Sequence, residues 1–276
     1  MEEAASRPGT VFRVIVDGIS VRHADRGAAR VEGDLPVLVL HGWGAHLEAI
    51  EPIVAALAGE TRVLALDLPG FGQSDPPPEP WDADGYMRFV LRFLDELGVE
   101  RVHVVGHSHG GRVAICMAAE HPERVARLLL VDAAGVPPKR GMKYRAKVSV
   151  AKAGKVAGRV GASGLQDRLR ARVGSTDYLN ASEEMRATFR LVIGQDMTER
   201  LPRIGATTLL VWGDQDDDTP LWMAHRMEEL IPDAGLAVFE GAGHYSYADD
   251  PARFGSVARL FLCEQPRALA AGAPAA

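Results

Sequence analysis

A serine set among glycines, where an apolar run gives way to a helical pattern, constrains this chain more than any other feature. The run Val102-His103-Val104-Val105 leads into Gly106-His107-Ser108-His109-Gly110-Gly111, and residues 112–120 leave it with helical spacing. Strand, sharp turn and helix thus follow one another with a serine at the turn. Such a turn strains the serine backbone, and glycines leave room for strand and helix to approach closely. The pentapeptide Gly-x-Ser-x-Gly alone occurs widely by chance. In this setting it asks whether the rest of the chain supplies what a reactive serine needs.

The remaining patterns place that turn in a sheet. Val37-Leu38-Val39-Leu40, Val63-Leu64-Ala65-Leu66, Leu128-Leu129-Leu130-Val131, Thr208-Leu209-Leu210-Val211-Trp212 and Leu236-Ala237-Val238-Phe239 are short apolar runs. Continuous apolar runs suit strands buried on both faces. Between them lie amphipathic patterns, including Tyr86, Val90, Phe93, Leu94 and Leu97, with Asp84 expected as cap and Gly98 as stop. Residues 11–16 and 19–24 flank Asp17-Gly18 and predict a hairpin. Strands alternating with helices imply an α/β fold with a mainly parallel sheet covered on both faces. Function in such sheets gathers in loops at the carboxyl ends of strands. Here those are residues 41–44, 67–75, 107–110, 132, 213–220 and 241–245, most of them rich in glycine and polar residues.

Composition narrows the class. The chain has 276 residues, 47% hydrophobic and 25% charged, enough to bury a core without staples. Cys116 and Cys263 are too few for a disulfide framework and read as buried thiols of a reducing compartment. The acidic start lacks an apolar leader, and no apolar run reaches the ~18 residues of a membrane span. A cytoplasmic protein without stable membrane insertion is expected. The net charge of -6 argues against general nucleic-acid binding. That average conceals a basic segment: residues 138–200 hold 14 Lys/Arg against 6 Asp/Glu, and the remainder 17 against 31. We therefore expect a core over 1–135 and 204–264, interrupted by an insert over 136–203, with a disordered tail over 265–276.

A serine hydroxyl is a poor nucleophile at neutral pH and needs a base, itself oriented by a third group. His107 and His109 adjoin the serine along a tight turn and point elsewhere. His244, on the glycine-rich loop 241–245 after the last strand, can reach across the sheet top. The acid is expected between serine and histidine in sequence. Asp216, in Gly213-Asp214-Gln215-Asp216-Asp217-Asp218-Thr219-Pro220, has the better claim, with Asp132 as rival. This acidic run imitates the opening of a calcium loop, but Thr219 and His225 stand where glycine and glutamate belong. His107-x-His109 lacks further ligands for zinc. No metal and no cofactor are expected. Two backbone N–H groups would stabilise an oxyanion, from His109 at the helix start and Trp43 after the 37–40 strand.

At this point the residues resemble the α/β-hydrolase superfamily, in its serine-nucleophile, esterase-like branch with a helical cap. The motifs are His41-Gly42-Trp43-Gly44, Asp67-Leu68-Pro69-Gly70-Phe71-Gly72-Gln73-Ser74, Gly106-His107-Ser108-His109-Gly110-Gly111, Gly213-x-x-Asp216-x-x-x-Pro220 and Gly243-His244. The resemblance covers residues 11 to 263 and implies a mostly parallel eight-stranded sheet flanked by helices, with the 136–203 insert as lid. It also implies a triad of Ser108, Asp216 and His244, oxyanion donors at Trp43 and His109, and a structural role for the 67–75 loop. One departure is His109, where Met, Phe or Trp is commoner; its imidazole is expected to border the acyl pocket.

These features point to a serine hydrolase of carboxylic esters with small to medium acyl chains, working on a small-molecule substrate. A second enzyme reading is carbon–carbon bond hydrolysis of vinylogous ketoacids, which would suit a basic cap; lactonase and thioesterase are variants of the first. A hydrolase-like small-molecule receptor with little turnover is the non-enzyme alternative.

Overall fold

Asp17 and Gly18 turn the chain back on itself. Both adopt positive φ, 48° and 82°, and join β1 (Val11–Val16) to β2 (Ile19–Arg26) as an antiparallel hairpin. The computed structural model describes residues 11–29, 33–138 and 182–264. The lead before residue 10, the 265–276 tail and most of the insert expected over 136–203 lie outside these residues.

Six further strands follow: β3 (Val37–Leu40), β4 (Val63–Leu66), β5 (Val102–His107), β6 (Val125–Val131), β7 (Thr207–Gly213) and β8 (Ala234–Phe239). They form one sheet of order β1-β2-β4-β3-β5-β6-β7-β8, parallel from β4 onward. The eight-stranded, mostly parallel sheet expected from the sequence is therefore present. The chain moves from β3 outward to β4, then crosses back to β5 on the other flank of β3. Strand order reverses between β3 and β5, and in open α/β sheets ligands bind at such a switch point. The paired residues Leu40 and Gly106 end at that crevice.

Side-chain alternation along each strand builds two cores. Leu38, Leu40, Leu64, Leu66, Val104, Leu128 and Leu130 face one layer, containing α2 (Ala83–Glu96) and α3 (His109–Glu120). Val37, Val39, Val63, Ala65, Val105, Leu129 and Val131 face the other, with α1 (Glu51–Leu57). Further helices among the described residues are α4 (Glu183–Gly194), α5 (Trp222–Leu230), the short α6 (Ser246–Asp249) and α7 (Pro251–Cys263). Phe254, Ala258 and Leu262 of α7 complete the second core. Burial on both faces explains why these strands read as unbroken apolar runs.

Two expectations need correction. Asp84 does not cap α2; Asp82 does, accepting from Gly85 N at 2.9 Å. The capping residue must lie just outside the helix with extended backbone, and Asp82 does, whereas Asp84 is already in the first turn and pairs with Arg200 at 2.8 Å. Of the two thiols, Cys116 is buried and Cys263 only partly so, because Cys263 ends α7; no disulfide joins them. Burial pushes the Cys116 thiol up to about 12.

Candidate active site

The elbow forms as the glycine pattern requires. Ser108 sits between β5 and α3 with φ 50° and ψ -111°. A positive φ on a residue with Cβ costs of order 1–3 kcal/mol and persists only where surroundings enforce it. Ser108 N donates to Val131 O (3.2 Å), and its carbonyl accepts from Gly111 N and Ala134 N (both 3.0 Å). A Cβ at Gly110 would stand 2.3 Å from Leu40 O, and one at Gly111 2.5 Å from Ala133 Cβ.

The loop after β8 brings His244 to this turn. The Ser108 hydroxyl lies 3.0 Å from His244 Nε2, and His244 Nδ1 lies 2.8 Å from Asp216 Oδ2. Asp216 arrives on the loop after β7 and is almost fully buried. Its Oδ1 accepts from Asp218 N (2.8 Å) and Thr219 N (2.9 Å), and its Oδ2 from the Thr219 hydroxyl (2.6 Å). Burial opposes the charged forms of both partners. Burial is the largest single influence, but their mutual hydrogen bond, the Thr219 hydrogen bonds and the surrounding charges together outweigh it, leaving Asp216 below and His244 above their ordinary ranges. The carboxylate thus fixes the tautomer with Nδ1–H toward itself and Nε2 free to accept from Ser108. This arrangement can deprotonate a serine hydroxyl.

Asp132, the rival acid, lies elsewhere in the network. Its Oδ1 accepts from Gly213 N (2.9 Å), and its Oδ2 from Ser246 N (3.0 Å) and Ser246 Oγ (2.7 Å). Burial raises its carboxyl to about 6. It braces the two loops that carry Asp216 and His244 and makes no hydrogen bond to the imidazole.

Three histidines around the serine are neutral. His41, lowered by burial to about 4, donates from Nδ1 to Gly42 O (2.7 Å) and accepts Leu68 N–H at Nε2 (2.9 Å). It ties the 41–44 loop to the 67–75 loop. His107, lowered by burial to about 3, donates from Nε2 to His244 O at 2.8 Å. His109, lowered likewise to about 3, has both ring nitrogens buried without a hydrogen-bond partner among the described residues. Its ring sits edge-on to Tyr86 (5.0 Å) and Trp43 (5.5 Å). The imidazole expected to border the acyl pocket does line the cavity, packed in an aromatic cluster.

A cavity of about 580 Å³ opens over the serine. Trp43, Ser108, His109, Arg112, Phe189 and His244 are among its lining residues. His109 opens α3, so its N–H has no intrahelical acceptor. The Trp43 ring packs edge-on against Phe71 (4.8 Å) and Phe189 (4.9 Å), which leaves its backbone as the group available for chemistry. Asp216, Asp218 and His244 place possible metal-ligand atoms within 4.8 Å of one another. Asp216 already accepts four hydrogen bonds and His244 Nδ1 faces it, so two of the three are engaged in the network just described.

Sequence reasoning singled out Ser108, His244, Asp216, Trp43 and His109, and the fold brings all five to one crevice. It missed Thr219 beside the acid, His107 holding the His244 backbone, and Arg112 in the cavity wall. Thr219 had a signal, standing between the acidic run and helix-starting Pro220. The others had none beyond proximity to Ser108.

A sheet of this order, with a serine elbow at its crevice and a histidine on the loop after its last strand, defines the α/β-hydrolase fold. The family described as "alpha/beta hydrolase fold" matches residues 36–251, and the chain belongs to it. An uncharacterized protein of Mycobacterium tuberculosis is 33% identical, covering 87% of this chain and 79% of that one. A 2-hydroxy-6-oxononadienedioate/2-hydroxy-6-oxononatrienedioate hydrolase of Cupriavidus pinatubonensis is 31% identical, covering 94% and 98%. Among solved structures, a membrane phospholipase A described as a bacterial virulence factor superimposes with TM-score 0.73 at 27% identity, over 92% of this chain and 85% of that one.

Proposed function

We propose that this protein is a serine hydrolase of carboxylic esters with small to medium acyl groups. Ser108 is the nucleophile, His244 the base and Asp216 the acid that orients it. The observation that carries the reading is the continuous relay of Ser108 Oγ, His244 Nε2, His244 Nδ1 and Asp216 Oδ2, with steps of 3.0 and 2.8 Å. His244 takes the hydroxyl proton as Ser108 Oγ bonds to the ester carbonyl carbon. Negative charge moves to the carbonyl oxygen, toward the N–H groups of Trp43 and His109. When the intermediate collapses, His244 gives its proton to the leaving alcohol and an acyl-enzyme remains. Water, deprotonated by the same histidine, releases the acid. No step requires a cofactor or metal.

A cavity of 580 Å³ suits a small to medium substrate. The likeness to a solved phospholipase A supports cleavage of a carboxylic ester. In this reading residues 136–203 form the cap; within it Val136, Pro138 and, from α4, Phe189, Val192 and Ile193 line the cavity. No helix among the described residues is long and apolar enough to cross a membrane. A cytoplasmic location completes the proposal and fits two cysteines not joined in a disulfide.

Carbon–carbon bond hydrolysis is the second reading. The similarity to the Cupriavidus dienedioate hydrolase along nearly both whole chains favours it. A panel of p-nitrophenyl esters from acetate to octanoate, run beside a dienoic ketoacid with Ser108→Ala as control, decides between them. Turnover of short and medium esters, with fluorophosphonate labelling lost in Ser108→Ala, is the expected result. Cleavage of the ketoacid alone would transfer the assignment to the second reading.

A further inference from the structure

Arg112 stands four residues beyond Ser108 on α3 and lines the same cavity. Ser108 immediately precedes α3, so Arg112 sits about one turn into the helix from the reacting serine, about 6 Å along its axis. Its Nη1 donates to Gln195 O at 2.9 Å, the carbonyl just past the end of α4. Among the described residues it makes no ion pair. Its neighbours do: Arg200 pairs with Asp84 and Glu120, and Arg203 with Glu120. Asp196, close enough to attract it, has its Oδ1 turned to the backbone N–H of Thr198 at 2.9 Å. Burial lowers the guanidinium to about 10, which still leaves it charged at neutral pH. A guanidinium has five N–H donors in a planar fork that matches a carboxylate bidentately. A partly buried arginine lining a cavity, with one neutral acceptor and no ion pair among the described residues, is an incomplete site.

The charge already in the cavity sets the direction. Asp218 also lines it, beside His244. A substrate anion is repelled from that side and drawn toward Arg112. His109, one turn before Arg112 and neutral, brings no competing charge.

We propose that Arg112 receives a carboxylate carried by the substrate a few bonds from its scissile carbonyl, so that the preferred substrates are half-esters of dicarboxylic acids or comparable keto-acid anions. The proposal rests on the reading of Ser108 as the reacting group of this cavity, and it specifies the substrate class.

Calorimetry on the Ser108→Ala protein tests it without requiring turnover. Phenyl hydrogen glutarate and phenyl pentanoate have five-carbon acyl chains and differ by the terminal carboxylate. The half-ester should bind about 10- to 100-fold tighter, as a charge-assisted pair implies. Adding Arg112→Gln should abolish that preference, and Arg112→Lys should retain part of it. A purely structural role would weaken both ligands alike. Half-ester binding no tighter than that of the neutral ester, undetectable binding included, overturns the proposal, as does a preference that survives Arg112→Gln in a folded protein. Hydrolysis of phenyl pentanoate by the wild-type enzyme reports separately on the ester reading. If that fails while Arg112-dependent binding holds, the reaction assignment falls and the anion site stands.

Discussion

Asp132 and Ser246 are 114 residues apart in sequence, yet one carboxylate oxygen of Asp132 accepts from both the amide (3.0 Å) and the hydroxyl (2.7 Å) of Ser246. The other oxygen takes Gly213 N at 2.9 Å. One side chain therefore fastens the strand end leading to Asp216 and the turn just beyond His244.

The two aspartates should separate experimentally. Asp216→Asn is expected to leave the fold intact and lower kcat by about 10⁴, by analogy with removal of the orienting acid in serine proteases. Asp132→Ala strands three buried donors, each costing about 1–3 kcal/mol, and is expected to lower unfolding free energy by several kcal/mol. Urea denaturation paired with ester kinetics measures both. If Asp132→Asn instead gives a stable protein with the larger kcat loss, the acid has been assigned to the wrong aspartate.

The relay also sets a pH profile. Only neutral His244 accepts a proton, and Asp216 raises its folded pKa above the ordinary 6.5 in spite of burial. For a neutral ester, kcat/KM should fall with a single-proton limb as pH drops through that raised value. His107 and His109, both lowered to about 3, do not titrate there. Asp216→Asn removes the partner and keeps the burial, so the residual activity should show its limb at lower pH. Stability follows the same shifts. The His244 contribution is present below 6.5 and lost as pH rises through its folded pKa. The Asp216 contribution is present above the ordinary carboxyl range and lost as pH falls through its lowered pKa. A limb that stays in place in Asp216→Asn would detach Asp216 from the base.

Much of this was legible in the sequence because both-face burial and tight turns leave local marks. The runs Val37–Leu40 and Val63–Leu66 are buried strands at the expected residues, and Asp17-Gly18 is the expected hairpin turn. Ser108, Asp216 and His244 were found because each follows a strand on a loop with glycine. What stayed hidden depends on which loops meet. Asp132 looks like any strand-ending acid until Ser246 is placed beside it. Asp84 reads as the cap of α2 until backbone geometry gives that place to Asp82. Arg112 carries no mark in the sequence beyond opening a helical pattern, and the fold places it in the cavity lining. The His109 ring could be placed only once Tyr86 and Trp43 were known to flank it.

Asp67 should prove the main support of the 67–75 loop. It is fully buried, accepts Leu47 N (2.7 Å) and Gln73 N (2.9 Å), and meets Arg22 at 3.3 Å. Arg22 keeps Glu48 as a partner, so the cost of losing Asp67 lies in its two stranded N–H donors, together about 2–6 kcal/mol. Asp67→Ala is therefore expected to destabilise by about that amount. Activity should fall too, since Phe71 of this loop packs at 4.8 Å on Trp43, whose N–H is a proposed oxyanion donor. Chemical denaturation with wild-type stability in Asp67→Ala would contradict the assignment.

Gly110 offers the sharpest test of the elbow, because local propensity and packing oppose each other there. It lies in the first turn of α3, where alanine is intrinsically favoured over glycine by about 1 kcal/mol. Yet an added Cβ would stand 2.3 Å from Leu40 O and 2.8 Å from His41 O. Both are backbone atoms at the end of β3, where the strand pairs with β5 and cannot yield without moving the 41–44 loop. We expect Gly110→Ala to lose at least about 3 kcal/mol, at the upper end of overpacking costs, and to lose fluorophosphonate labelling of Ser108 in whatever fraction folds. Gly59→Ala is the matched control, with nothing within 4 Å of its added Cβ, and should be near neutral. Equal stability and labelling in the two variants would show that strand and helix are not held as closely at the elbow as these distances require.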